Sequence, residues 1–323
     1  MPSALKLVAA VFLVAALATV SLFVGVSDVS LESLLSNAPE DRPMQVLLIS
    51  RIPRTLALIL AGSALAVSGL IMQMLARNRF VEPSTAGTVE SASLGLLVVT
   101  IFAPGWPLLA KMAVAAVFAL AGTAVFMRLL AAIPLRSPLV VPLVGIMLGG
   151  VIAAVTTFFA YRYDLLQTLG AWTMGDFSGV LRGRYEMLWL AGGLTVAAWL
   201  VADRFTVAGL GEAFTTNLGL DYRRVLTLGL SIVAMVTAVV VVTAGAIPFL
   251  GLIVPNLVSA WMGDHMRRSI PWIALLGAGL VLASDIVGRL IRFPYEIPIG
   301  TVFGVAGSLI FLWLLLGRRR QLA

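Results

Sequence analysis

The chain has 323 residues, of which 60% are hydrophobic and only 11% charged, with a mean hydropathy of +1.05. Soluble globular chains run nearer half apolar and a quarter charged, so one aqueous core cannot absorb this excess and the bilayer must be the solvent for most of the protein. There is no cysteine, which excludes disulfides, thiol catalysis and thiolate metal sites, and a net charge of +7 fits arginine-rich cytoplasmic loops rather than a nucleic-acid-binding face.

The amino terminus, Met1–Val26, carries one lysine, Lys6, and then about twenty apolar residues, longer than the apolar part of a secretory signal. An uncleaved first helix is therefore expected. A spanning helix needs about twenty mainly apolar residues, and ten such segments are expected in an all-α, polytopic chain. They are Leu5–Val26, Thr55–Leu75, Ala86–Phe102, Leu108–Ala131, Leu139–Ala160, Met187–Val201, Val225–Ala244, Ile247–Met262, Ile270–Leu290 and Ile297–Leu316. The third, sixth and eighth are short, and the eighth holds Pro248 and Pro255. Leu165–Val180 is half-apolar and broken by glycine, which predicts an interfacial or re-entrant helix. No polar stretch exceeds about twenty-five residues, too few for a soluble domain, so residues 1–323 are expected to form one transmembrane domain.

Small residues recur at Ala61–Gly69, Gly149–Ala154 and Gly277–Ser284. Such runs let helices approach closely in lipid; composition alone leaves open whether some line a pathway instead. With ten spans and an inside amino terminus, thirteen of the 22 Lys and Arg fall on the cytoplasmic side, with Arg318 to Arg320 weighing most. Both termini are then cytoplasmic. Arg51 and Arg54 fall outside, against the rule, which leaves interfacial snorkelling or an external partner as their explanation.

Acidic groups inside spans mark function by default. Of fifteen Asp and Glu, Asp285 stands out in a span, with Arg289 four residues on and on the same helix face. The single histidine, His265, falls in a cytoplasmic turn. There is no visible ion-coupling group, acidic or histidine ring, protease constellation or lysine-bearing phosphate loop. No enzyme activity, cofactor or metal site is expected, and uphill transport would need a separate ATPase. The connection at about residues 203–224 reads as two short helices broken by glycine. Leu210, Phe214 and Leu218 form an apolar side that needs a cover, either the bilayer surface or a cytoplasmic ATPase.

Four stretches, RIPRTLALILAGSALAVSGLIMQ (Arg51–Gln73), GEAFTTNLGL, AGAIPFLGLIVPN (Ala244–Asn256) and EIPIGTVFGVAGSLIFLWLL (Glu296–Leu315), resemble FecCD-type permeases of ABC importers. The resemblance covers nearly the whole chain. It implies a type II importer fold and import of ferric siderophore across the bacterial inner membrane, with haem or cobalamin as alternatives and a secondary carrier or channel more distant. The implied partners are a second permease, with a heterodimer favoured, a cytoplasmic ATPase dimer and a periplasmic or lipid-anchored binding protein. The family's docking arginines fall on Arg51, Arg54 and Arg289, and its coupling segment on Gly211, Glu212, Ala213, Phe214 and Gly219. Its pathway falls near Ser63, Ser68, Gly69 and Gln73. Two departures stand out: Arg77–Gly95 replaces an Asn-Pro-Leu-Ala-Asp/Glu-Pro type turn, and Asn256 stands where relatives often have histidine.

Overall fold

The computed structural model describes residues 4–25, 42–133, 140–263 and 265–319; Met1, Val26, Leu139 and Arg320, named above, lie outside them. In chain order the helices are α1 (Ala4–Phe23), α2 (Ile52–Leu75), α3 (Thr88–Phe102), α4 (Leu108–Ala132), α5 (Val140–Arg162) and α6 (Leu166–Thr173). Then come α7 (Leu188–Leu200), α8 (Ala202–Ala208), α9 (Glu212–Asn217), α10 (Tyr222–Ala244), α11 (Leu250–Met262), α12 (Met266–Ile291) and α13 (Ile299–Arg319). Each of the ten expected segments is helical over most of its described residues, with residues 247–249 and 297–298 outside the helices they precede. Among the described residues, by length and composition six helical stretches can cross a membrane (α1, Pro43–Leu75 with α2 as its main part, α4, α5, α10 and α12), and α7 with α8, bent by 66°, makes up to seven. The others, α3, α11 and α13 over Ile299–Trp313, are shorter apolar helices, so length alone does not give ten crossings.

At the centre stands α2, surrounded by α7, α10, α11 and α12. Lipid tails are as apolar as leucine, so such packing relies on close backbone approach rather than on burial from water. The small-residue runs supply it. A Cβ on Gly62 would lie 2.7 Å from the Gly277 carbonyl oxygen, and Gly69 meets Gly251 with no room for a side chain. Around these contacts Leu58, Ile71, Met72, Val233 and Ile253 are fully buried. A second layer, α3 to α5, packs outside α10, with the hydroxyls of Thr88 and Thr123 2.8 Å apart between α3 and α4. The outer faces of α1, α4 and α5 expose Phe12, Val117, Ile146 and Phe158.

Three helix breaks meet inside the bundle. Helix α11 has 13 residues, about 20 Å of rise, short of a hydrocarbon core of about 30 Å. Before it, Gly245 (φ +84°) turns the chain at a point where Met174 leaves no space for a Cβ. The segment after α6 packs there: the Asp176 N–H donates to the Ala244 carbonyl at 2.7 Å, and the Gly300 N–H to the Gly175 carbonyl at 2.9 Å. Of the segment Leu165–Val180, expected as one interfacial or re-entrant helix, Leu166–Thr173 is helical (α6) and none of those residues is buried.

Candidate functional site

At one end of α2 lies a cluster of charges. Arg54 Nε and Nη2 donate to Asp285 Oδ1 at 3.1 and 2.7 Å, and its Nη1 donates to Glu296 Oε2 at 2.7 Å. Arg289 pairs with Asp285 Oδ2, and donates to the carbonyls of Ser21 at 3.0 Å and Val24 at 2.6 Å and to the Ser21 hydroxyl at 2.6 Å. The Arg51 guanidinium also donates to the Val24 carbonyl. Arg51, Arg54 and Arg289 are only 6, 9 and 3% exposed. The resemblance assigns all three to docking an external partner; in this conformation they are buried and paired within the chain. A guanidinium at a helix end inside a membrane protein is costly unless paired, and Asp285 and Glu296 provide the pairing. The i, i+4 relation made the Asp285–Arg289 pair legible. Arg54 and Asp285 are 231 residues apart, and no spacing rule could join them.

The other end of α2, about 36 Å away by its 24 residues, approaches the segment of residues 203–224. The two short helices expected there are α8 and α9. Gly211 (φ +110°) and Gly219 (φ +78°) bracket α9 in backbone conformations that favour glycine. Thr215 is fully buried, and its hydroxyl donates to the Gly211 carbonyl at 2.7 Å. Glu212 and Ala213 are exposed, and Phe214 is 56% exposed, with Leu210 and Leu218 exposed beside it. The segment thus presents an uncovered apolar side next to an acid.

The four residues that the resemblance assigns to a pathway all lie on α2. The Ser63 hydroxyl donates to the Ala274 carbonyl at 3.1 Å, Ser68 is buried, and Gly69 is pressed against Gly251. Gln73 Nε2 donates to the Gly251 carbonyl at 3.1 Å, and Gln73 also borders a cavity of about 170 Å³ with Arg77 and Gly209. Within the subunit, α2 is the central strut, and these groups make the packing and hydrogen-bond contacts just given.

The scan of family models places residues 12–317 in the FecCD transport family. The chain belongs to that family. A petrobactin import system permease protein (YclN) of Bacillus subtilis is 48% identical over 304 residues, 94% of this chain and 95% of that one. A petrobactin import system permease protein (FatD) of Bacillus anthracis is 41% identical, covering 96% and 91%. A vitamin B12 import system permease protein (BtuC) of Serratia proteamaculans is 35% identical, covering 82% and 80%. A solved ABC transporter described as of metal-chelate type, in an inward-facing conformation, matches with a TM-score of 0.80 at 24% identity, over 97% of this chain and 99% of that one. That likeness establishes the fold.

Within the FecCD frame the two departures acquire structural content. Asn78, Glu82 and Pro83 keep the polar and proline positions of the replaced turn. Glu82 is almost wholly buried; its carboxylate accepts from the Phe249 N–H at 2.9 Å, at the broken start of α11, and from the Ser84 hydroxyl. Asn256 Nδ2 donates to the Arg79 and Leu252 carbonyls, both at 2.7 Å, tying the turn to α11. Sequence reading named the turn as a departure but not Glu82 as the cap of a helix 167 residues away.

Proposed function

We propose that the chain is the membrane-spanning permease subunit of an ATP-driven importer that carries ferric siderophore across the bacterial inner membrane by alternating access. The observation that carries this reading is the near-full-length similarity to two petrobactin import permeases at 48 and 41% identity, against 35% for a vitamin B12 permease. Both termini face the cytoplasm. A separate ATPase pair supplies the energy, a second and different permease completes the pathway, and a binding protein delivers cargo from outside.

The coupling step is assigned to α9. Its exposed Phe214, between Leu210 and Leu218, supplies an apolar side for the ATPase, and the glycines at both ends let it pivot as a unit. The binding protein is assigned to the end of the bundle that holds Arg51, Arg54 and Arg289. Since these are internally paired, its carboxylates must compete there with Glu296, the more exposed partner of Arg54. Such pairing sets orientation and encounter rate more than affinity.

The test is uptake of labelled ferric siderophores, haem and cobalamin in a strain lacking the chain. Loss confined to ferric siderophore, restored by the chain, supports the reading; loss confined to cobalamin or haem replaces it with the corresponding alternative.

A further inference from the structure

Between α3, α5, α6 and the turn leading into α11 lies a cavity of about 640 Å³, within the range of small-molecule sites. Its lining includes Glu90 and Ser93 from α3, Thr156 from α5 and Thr173 from α6. Among the described residues, Glu90 Oε2 and Ser93 Oγ are buried atoms with no hydrogen-bond partner, and Ser93 is only 2% exposed. Gly149 faces the carboxyl: a Cβ there would lie 3.3 Å from Glu90 Cδ.

Four of the six hydroxyls lining the cavity donate their protons within the chain. Thr156 donates its hydroxyl proton to the Ile152 carbonyl at 2.7 Å, and Thr173 donates to the Gly170 carbonyl at 3.0 Å. Two more lining hydroxyls, Ser84 and Thr85, donate to the carboxylate and carbonyl of Glu82. Their protons are committed, so they offer the cavity lone pairs only. Among the described residues no Lys, Arg or His lines it, and Val89, Leu169 and Phe249 are among its apolar lining. A buried carboxylate at membrane depth is costly without a positive partner. A primary ammonium brings three donors, no acceptor and the opposite charge, and an alkyl stem suits the apolar wall.

We propose that this cavity is a subsite for a protonated alkylamine, with Glu90 as its counter-ion and Ser93 as a second contact, and that the amine belongs to the cargo. The second half of that statement rests on the importer reading; the first half does not.

The reconstituted transporter in proteoliposomes provides the test. Glu90 is labelled with a hydrophobic carbodiimide, read by peptide mass spectrometry, in the presence of n-pentylammonium or potassium. Pentylammonium is expected to protect Glu90, and Ser93→Ala to raise the protecting concentration about tenfold, the loss of one hydrogen bond to a charged group. No labelling, labelling unaffected by the amine, or equal protection by potassium overturns the site. A second arm compares uptake of a ferric catecholate bearing a free primary amine with its N-acetyl derivative. Glu90→Gln is expected to slow the first about tenfold and leave the second unchanged; equal loss for both overturns the cargo assignment. If the wild-type complex imports neither while pentylammonium still protects Glu90, the importer reading fails and the amine site stands.

Discussion

Asp285 is gripped by two guanidinium groups, one on each carboxylate oxygen, and its side chain is wholly buried. Removing one partner of a buried ion pair leaves an uncompensated charge, at a cost of about 3–5 kcal/mol. Asp285→Ala is therefore expected to lower stability by that order, measured by unfolding in detergent with denaturant. A loss below about 1 kcal/mol would mean that the cluster is no brace. Glu296 sits at the accessible edge, with a side chain 28% exposed. Glu296→Gln should leave folding nearly intact while releasing Arg54 Nη1, so the permease should capture its loaded binding protein faster in a surface-binding assay at low salt. An unchanged association rate would confine the arginines to bracing the fold. A double variant Arg51→Glu, Arg54→Glu is a poor test of docking, because the like charges it sets near Asp285 should impair assembly of the chain itself.

At the scale of the element, glycine contacts and helix breaks do most of the positioning. Gly69→Leu forces a side chain into the Gly251 backbone, where overpacking costs typically 1–3 kcal/mol; it should cut the yield of folded, monodisperse protein, whereas Gly150→Ala, with open space around it, should not. In α9, Glu212→Lys together with Gly219→Val should leave cargo capture by the binding protein intact and uncouple ATP hydrolysis from uptake. Full coupled transport in that variant would contradict the assignment. The existence of α8 and α9 was legible because glycine punctuates a short polar stretch, and the ten helical segments because apolar runs about twenty residues long have few other uses. What stayed hidden was long-range. The Arg54–Asp285 pair, the Glu82 cap on α11 and the meeting of Gly175, Gly245 and Gly300 all join residues far apart in the chain. Local periodicity carries no record of such partners.

For the whole molecule, the proposed function gives the charge cluster at one end of α2 to the binding protein and α9, near its other end, to the ATPase; the half-length helix α11 and the bent pair α7–α8 pack against α2. Broken helices capped by buried polar groups, as Glu82 caps α11, are joints that can rearrange without leaving backbone groups unpaired in lipid. In this account the bundle transmits motion and performs no chemistry. The most direct measurement is iron accumulation from labelled ferric siderophores in cells lacking the chain, with and without its restoration, beside parallel assays with haem and cobalamin. The account predicts that at least one ferric siderophore enters only when the chain is present, and that haem and cobalamin uptake do not respond. Siderophore uptake that is the same with and without the chain would contradict it.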